Sequence, residues 1–158
     1  MTHVSYDGKA LILEDGRSFR LNVTAKDNYS DLKNSGITYE NGVVTYLNGT
    51  KDTLSNGYII LREDKYGNQI HYEYETVAAT KYYRAETRLT KIYDDFGRTI
   101  SINYQTGYTE IIRPDGSKVR YYKTEMPVTY IKGANYQDAP SSIPVVNKIQ
   151  NISDSLVI

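Results

Sequence analysis

Along much of the chain, apolar or aromatic residues recur at every second position in short runs, and clusters of Asp, Asn, Pro and Gly close each run. Aligned on glycines, "RSFRLNV" follows Gly16, "NQIHYEYE" follows Gly67, "RTISINYQ" follows Gly97 and "SKVRYYK" follows Gly116. The third residue after each glycine is Phe19, Ile70, Ile100 or Val119, and the fifth is Leu21, Tyr72, Ile102 or Tyr121. A period of two places such residues on one face of a half-buried strand. A second β-rich run precedes each glycine: "ALILE", "YIILRE", "LTKIY" and "TEIIR". The pattern predicts an all-β, antiparallel sheet of hairpins, curved or spiralling, in which each glycine joins two strands.

The joining residues fit one turn. In "LEDG", "DKYG", "DDFG" and "RPDG" the glycine is the fourth residue of a type I turn, which favours Asp or Asn first, Pro second and Gly fourth. Asp64 and Asp94 take the first position, Pro114 the second, and Gly67, Gly97 and Gly116 the fourth, with Asp115 just before Gly116. Gly at the end of such a turn supplies positive φ. A first-position Asp accepts a hydrogen bond from the N–H two residues on, so the paired carboxylates of Asp94 and Asp95 read as turn chemistry. Asn41-Gly42, Asn48-Gly49 and Asn56-Gly57 are dipeptides preferred in tight hairpins, the first between "GITYE" and "VVTYL".

Elsewhere the pattern loosens. Residues 27–34 and 77–87 lack a capped 3.6-residue stripe and read as loops or a single turn. "MPVTYIKG" reads as a strand after a proline, "ANYQDAPSSIP" as loop, and "VVNKIQNISDSLVI" as one or two strands. We divide the chain into a hairpin-repeat region, 1–136, and a loop with a terminal strand, 137–158. The apolar end at Leu156, Val157 and Ile158 reads as a cut through a continuing strand.

Composition narrows the function. Nineteen basic and nineteen acidic residues cancel, leaving no field to draw nucleic acid or an anionic membrane. No apolar run is long enough for a membrane span and no signal peptide opens the chain. With zero cysteines there is no disulfide, thiolate or cysteine-ligated zinc chemistry. Seventeen tyrosines take space that aliphatic side chains usually fill. Sequons at Asn22, Asn28, Asn48 and Asn151 would matter only in a eukaryotic secretory pathway.

"RLTKIYDDFGRTISINY" resembles the YD repeat, or Rhs repeat: Tyr-Asp, two variable residues, Gly-Arg, then an alternating strand. Tyr93, Asp94, Gly97 and Arg98 match it. "EDKYGNQIHYEY" keeps Asp64 and Gly67 but has Glu63 in place of the tyrosine, and "IRPDGSKVRYY" keeps the turn and strand. The resemblance covers residues 58–123, and 4–23 faintly. It implies a segment of a spiralling antiparallel sheet, as in bacterial polymorphic toxins, wall-associated proteins, toxin-complex components and teneurins, where such sheets often close into a shell around an effector. It also implies an extracellular or cell-surface location within a longer exported protein, with neighbouring repeats as partners. The Asp-Pro-x-Gly pattern that ends many such shells has no counterpart, since Pro114-Asp115-Gly116 reverses the order. Self-cleavage is therefore not implied.

Candidate chemistry is sparse. His71 and Glu73 share a strand face and could contribute to a metal or proton-transfer site, but no second His or Cys lies near in sequence. The turn aspartates lack an apolar pocket of the kind that raises a catalytic pKa. No Gly-x-Ser-x-Gly elbow or phosphate-binding glycine loop is present. The reading is a non-catalytic scaffold with no cofactor and no metal. The alternative is a carbohydrate-binding module in which Tyr72, Tyr74, Tyr104, Tyr121 and Tyr122 form a platform for glycans. A sheet segment of this kind is expected to self-associate weakly through its edges.

Overall fold

A computed structural model describes residues 1–5, 8–21, 32, 35–81, 84–127 and 142–152. The strands are β1 His3–Val4, β2 Ala10–Ile12, β3 Ser18–Arg20, β4 Thr38–Glu40, β5 Val43–Thr45, β6 Lys51–Ser55 and β7 Tyr58–Glu63. They continue as β8 Gln69–Val77, β9 Glu86–Asp94, β10 Thr99–Tyr104, β11 Tyr108–Ile112, β12 Lys118–Pro127 and β13 Ser142–Ile152. The all-β, antiparallel expectation holds: among the described residues 13 strands hydrogen-bond into one open sheet in the order β13-β12-β11-β10-β9-β8-β7-β1-β2-β3, with β4, β5 and β6 branching from β7.

The turns follow the predicted chemistry. The N–H of Gly67 donates to the Asp64 carbonyl at 3.1 Å, that of Gly97 to Asp94 at 3.1 Å and that of Gly116 to Arg113 at 2.9 Å. These glycines have φ of 88°, 81° and 81°, the left-handed region that a β-carbon disfavours. The turn aspartates cap in two ways. Asp64 and Asp94, in first position, accept the N–H of Tyr66 at 2.8 Å and of Phe96 at 3.0 Å. Asp15 and Asp115, in third position, instead accept the N–H just past the glycine, from Arg17 at 3.0 Å and Ser117 at 2.9 Å.

Asn41 and Asn56, both at φ 50°, with Gly42 and Gly57 at 80° and 82°, form the two-residue hairpin turns expected of Asn-Gly. Asn48-Gly49 does not. Gly49 N–H donates to the Tyr46 carbonyl at 2.9 Å and the Asn48 side chain accepts Thr50 N–H at 2.9 Å, so the four-residue turn recurs there.

The chain divides into two compact units: residues 1–72 with 93–97, and residues 73–92 with 98–158. In the first, Leu11, Leu13, Phe19, Ile37, Val44, Leu54 and Ile59 are buried in one cluster, with Val4, Tyr39, Tyr46 and Tyr72 packed against it. Its central strand, β7, carries an irregularity opposite Thr53 and Leu54, where Thr53 pairs with Leu61 and Leu54 with Ile59. The extra residue, Ile60, resets the alternation so that Ile59 and Arg62 both face inward. In the second unit each of β10 to β13 pairs with its neighbour in sequence. Ile102 lies opposite Ile111 and Ile111 opposite Val119. Val119 is the buried apolar residue of that unit among the described residues.

The loop expected over 134–144 ends earlier: Ser142, Ile143 and Pro144 already belong to β13, with Pro144 opposite Glu125. An edge strand tolerates proline because an N–H turned away from its neighbour is not needed. Val77 ends β8 and Glu86 opens β9, and the described residues between them form no helix. The turn expected over 27–34, the strand expected after Pro127, the sequons at Asn22 and Asn28 and the apolar end at 156–158 lie outside the described residues, apart from Leu32.

Candidate functional site

Three clusters gather the polar groups that could do chemistry. The first is centred on Asp52, which is fully buried on β6 in phase with Leu54. Its cross-strand partner is Arg62 on β7. Arg62 Nε donates to Oδ1 at 2.7 Å and its Nη2 to Oδ2 at 2.9 Å, a bidentate pair. The Tyr46 hydroxyl donates to Oδ2 at 2.7 Å and itself lies 2.8 Å from Thr2 Oγ1, so the buried threonine hydroxyl donates onward to Tyr46. Arg62 Nη1 reaches Glu14 at 2.9 Å.

The hydrogen bonds to Asp52 hold the Arg62 guanidinium well above its ordinary pKa. Burial pushes the Tyr46 phenol up to about 12, and the Asp52 carboxylate that accepts its proton acts in the same direction. A carboxylate that accepts from a guanidinium fork and a phenol has three of its about four acceptor positions engaged, and Asp52 is fully buried, which leaves it poorly placed to meet a substrate. Among the described residues no buried polar side-chain atom lacks a partner. The cluster is a sealed structural lock.

The second cluster surrounds the Asp94 turn, where the sequence placed Tyr93, Asp94, Gly97 and Arg98. Asp95 accepts the N–H of Gln69 at 3.1 Å and lies 3.4 Å from His71 Nε2. The His71 ring stacks on Tyr93 with centroids 4.7 Å apart and planes 11° apart. The paired carboxylates thus divide the work: Asp94 closes its own turn, and Asp95 ties that turn to the start of β8. Asp95 has a partner that the local turn pattern does not reveal. Glu73, the other half of the sequence-level metal candidate, pairs with Lys91 at 3.5 Å. Among the described residues no group of three or more His, Cys, Asp or Glu could hold a metal ion.

The neighbouring turn is also closed on itself. Asp64 accepts the Asn68 side-chain amide at 2.7 Å, and that bond, together with backbone N–H donors, keeps its pKa below the usual carboxylate value. Asp115 is lowered likewise by hydrogen bonds from Ser117, and Asp15 by the backbone N–H of Arg17. These shifts run opposite to what a general acid requires.

The third cluster is the tyrosine set. Tyr72 packs against the buried core of the first unit, and burial raises its phenol pKa. Tyr74 lies two residues further along β8, in the second unit. Tyr104 and Tyr121 share a face through Thr109, which pairs with both. Tyr122 occupies the opposite face by strand alternation and pairs with Tyr108, the rings 5.7 Å apart and tilted by 47°. The candidate platform residues are therefore spread over different faces.

Cations lie over several of these rings. Arg88 sits 3.9 Å from the Tyr104 centroid and Lys123 5.8 Å from it, Arg120 is 4.7 Å from Tyr108, and Lys148 is 5.1 Å from Tyr122. The Tyr104 hydroxyl donates to the Leu89 carbonyl at 2.8 Å. Arg120 also pairs with Glu110 directly across the strands at 2.8 Å, which raises its pKa. Rings covered by cations and tied by their hydroxyls stitch strands together and have less free face to offer a sugar.

Compared with known proteins, the chain matches no family model, no curated protein and no solved structure.

Proposed function

We propose that this chain is a non-catalytic β-scaffold, a segment of a secreted or cell-surface protein of the YD-repeat kind in which neighbouring hairpins extend the same sheet. The observation that carries the reading is the structural employment of the polar groups that could do chemistry. Asp15, Asp64, Asp94 and Asp115 each cap a turn, Asp95 joins a turn to a strand, and Asp52 is locked to Arg62 and Tyr46. Support also comes from the recurrence of one turn geometry at Gly16, Gly49, Gly67, Gly97 and Gly116, each glycine donating to the carbonyl three residues back. A repeated turn with conserved geometry serves a repeated architecture, whereas a catalytic site is needed once.

The test has two arms. Asp94→Ala should lower stability by about 1 kcal/mol in chemical unfolding, the net value of a hydrogen bond, and Asp64→Ala should lower it in the same direction. Glycan arrays and heparin titrations should give no affinity tighter than about millimolar. Saturable micromolar glycan binding that disappears in Tyr104→Ala or Tyr122→Ala, with folding intact, would replace the scaffold reading by the carbohydrate-binding one.

A further inference from the structure

The end of the strand order at β13 differs from the other strand ends. Among the described residues β13, 11 residues long, pairs along its length with β12 alone, whereas β3 and β4, which there also have a single partner, are 3 residues each. An edge of that length exposes a row of backbone N–H and C=O groups whose natural complement is another extended strand.

Proteins guard such edges with charge, proline or a bulge. In β13 the guards stand in its first half: Pro144, and a bulge at Asn147, where Val146 pairs with Lys123 but Lys148 with Tyr122. From Lys148 to Ile152 the sequence is "KIQNI", with one charge. That ammonium is drawn over the Tyr122 ring on the neighbouring strand, 5.1 Å from its centroid. Val146 and Ile149 are 54% and 63% exposed.

We infer that β13 pairs antiparallel, through its Lys148–Gln150 stretch, with the same stretch of a second copy of this chain, about a two-fold axis at Ile149. The occupant is argued from self-complementarity. A two-fold axis places Ile149 opposite its own copy, covering the most exposed apolar residue of the strand, and sets Lys148 opposite the uncharged Gln150 of the other copy. The inference rests on the scaffold reading in one respect, that the outer edge of β13 is a strand-pairing edge, which a second copy takes in the isolated chain.

Cysteine cross-linking tests the register directly, because the chain has no cysteine of its own. Opposed residues of an antiparallel pair have Cα atoms about 4.5–5.5 Å apart, within disulfide reach. Under mild oxidation Ile149→Cys should form a covalent dimer. Ile152→Cys should stay monomeric, since six residues of offset separate it from its copy by roughly 20 Å. In light scattering, Ile149→Lys should weaken self-association at least tenfold with an unchanged circular dichroism spectrum. A strict monomer at high concentration, or equal cross-linking at positions 149 and 152, would overturn the inference. Glycan binding in the separate array experiment would overturn the scaffold reading and leave the dimer result standing, so the two failures are distinguishable.

Discussion

The two units use the same strand and turn vocabulary and are held together differently. In the first, residues far apart in sequence, Leu11 on β2, Phe19 on β3, Val44 on β5, Leu54 on β6 and Ile59 on β7, meet in one buried cluster. In the second, β10 to β13 pair in sequence order, and among the described residues Val119 alone of the apolar side chains is buried. A regular turn suffices to build a ladder. A core needs side chains from non-consecutive strands, and the branch at β7, which pairs with β6, β8 and β1, collects short strands into the first unit. What remains in the second is backbone pairing plus cross-strand contacts such as Arg120–Glu110 and Tyr108–Tyr122, of which the aromatic pair contributes about 0.2–1 kcal/mol.

The contrast predicts a graded response to substitution. Asp52→Ala should be the most damaging, by about 3–5 kcal/mol, because it leaves the Arg62 charge without its buried partner. Leu11→Ala should cost about 2–5 kcal/mol through the cavity it opens. Ile102→Ala, in a half-buried row of the second unit, should cost about 1 kcal/mol. Urea unfolding followed by circular dichroism orders the three, and an Ile102→Ala effect as large as that of Leu11→Ala would erase the distinction.

At the turns, Gly97→Val should cost about 1–3 kcal/mol from positive φ alone, since a β-carbon there meets nothing within 4 Å. Asp95→Ala should cost about 1 kcal/mol, more than a permissive turn position would suggest, because Gln69 N–H loses its acceptor. Tyr104→Phe should cost a similar amount through the lost bond to Leu89, with hydrogen exchange quickening in the second unit only.

The smallest effects are pH-dependent. Folding raises the Tyr46 pKa from 10.0 to about 12, so the folded state holds that proton more tightly than the unfolded one. The stability this confers is complete below about pH 10 and is lost as pH rises toward about 12; a Tyr46→Phe variant should lack that alkaline loss. Asp15, Asp64 and Asp115 have folded pKa values below 3.8, so their contribution is present above that pH and disappears as pH falls through the folded values. Asp15 and Asp115 are exposed and Asp64 is half-buried at the surface, and their acid loss should be slight and salt-sensitive. Melting curves across the pH range check both limbs.

Much of the hairpin architecture was legible because the turn signal is local. Gly67, Gly97 and Gly116 stand where an Asp, Pro and Gly grammar puts them, and strands flank each of them as expected. Asn48-Gly49 misled because the dipeptide serves two turns, and the choice was made by Tyr46 and Thr50 closing around it. The start of β13 was missed because Ser and Pro signal loops, although an edge strand accepts them; Ser142 even donates its hydroxyl to Glu125 at 2.7 Å. The Asp52 lock was the largest omission. Its signal was present as a carboxylate in the apolar phase of "KDTLS", but recognising Arg62 as its partner required the register across β6 and β7 and the reset of phase at Ile60. Pairings between distant segments, such as His3 with Tyr58, left no trace in the local pattern.

Native-state hydrogen exchange resolved by peptide addresses the central contrast most directly. The amides of β2, β6 and β7 should exchange only through global opening of their unit, with a common free energy and a urea dependence matching its unfolding. Those of β10 to β12 should exchange faster and with a shallower urea dependence, as a ladder opens hairpin by hairpin. Equal protection and equal urea dependence in both sets would contradict the account, and would mean that the second unit is held by a cooperative core as strong as that of the first.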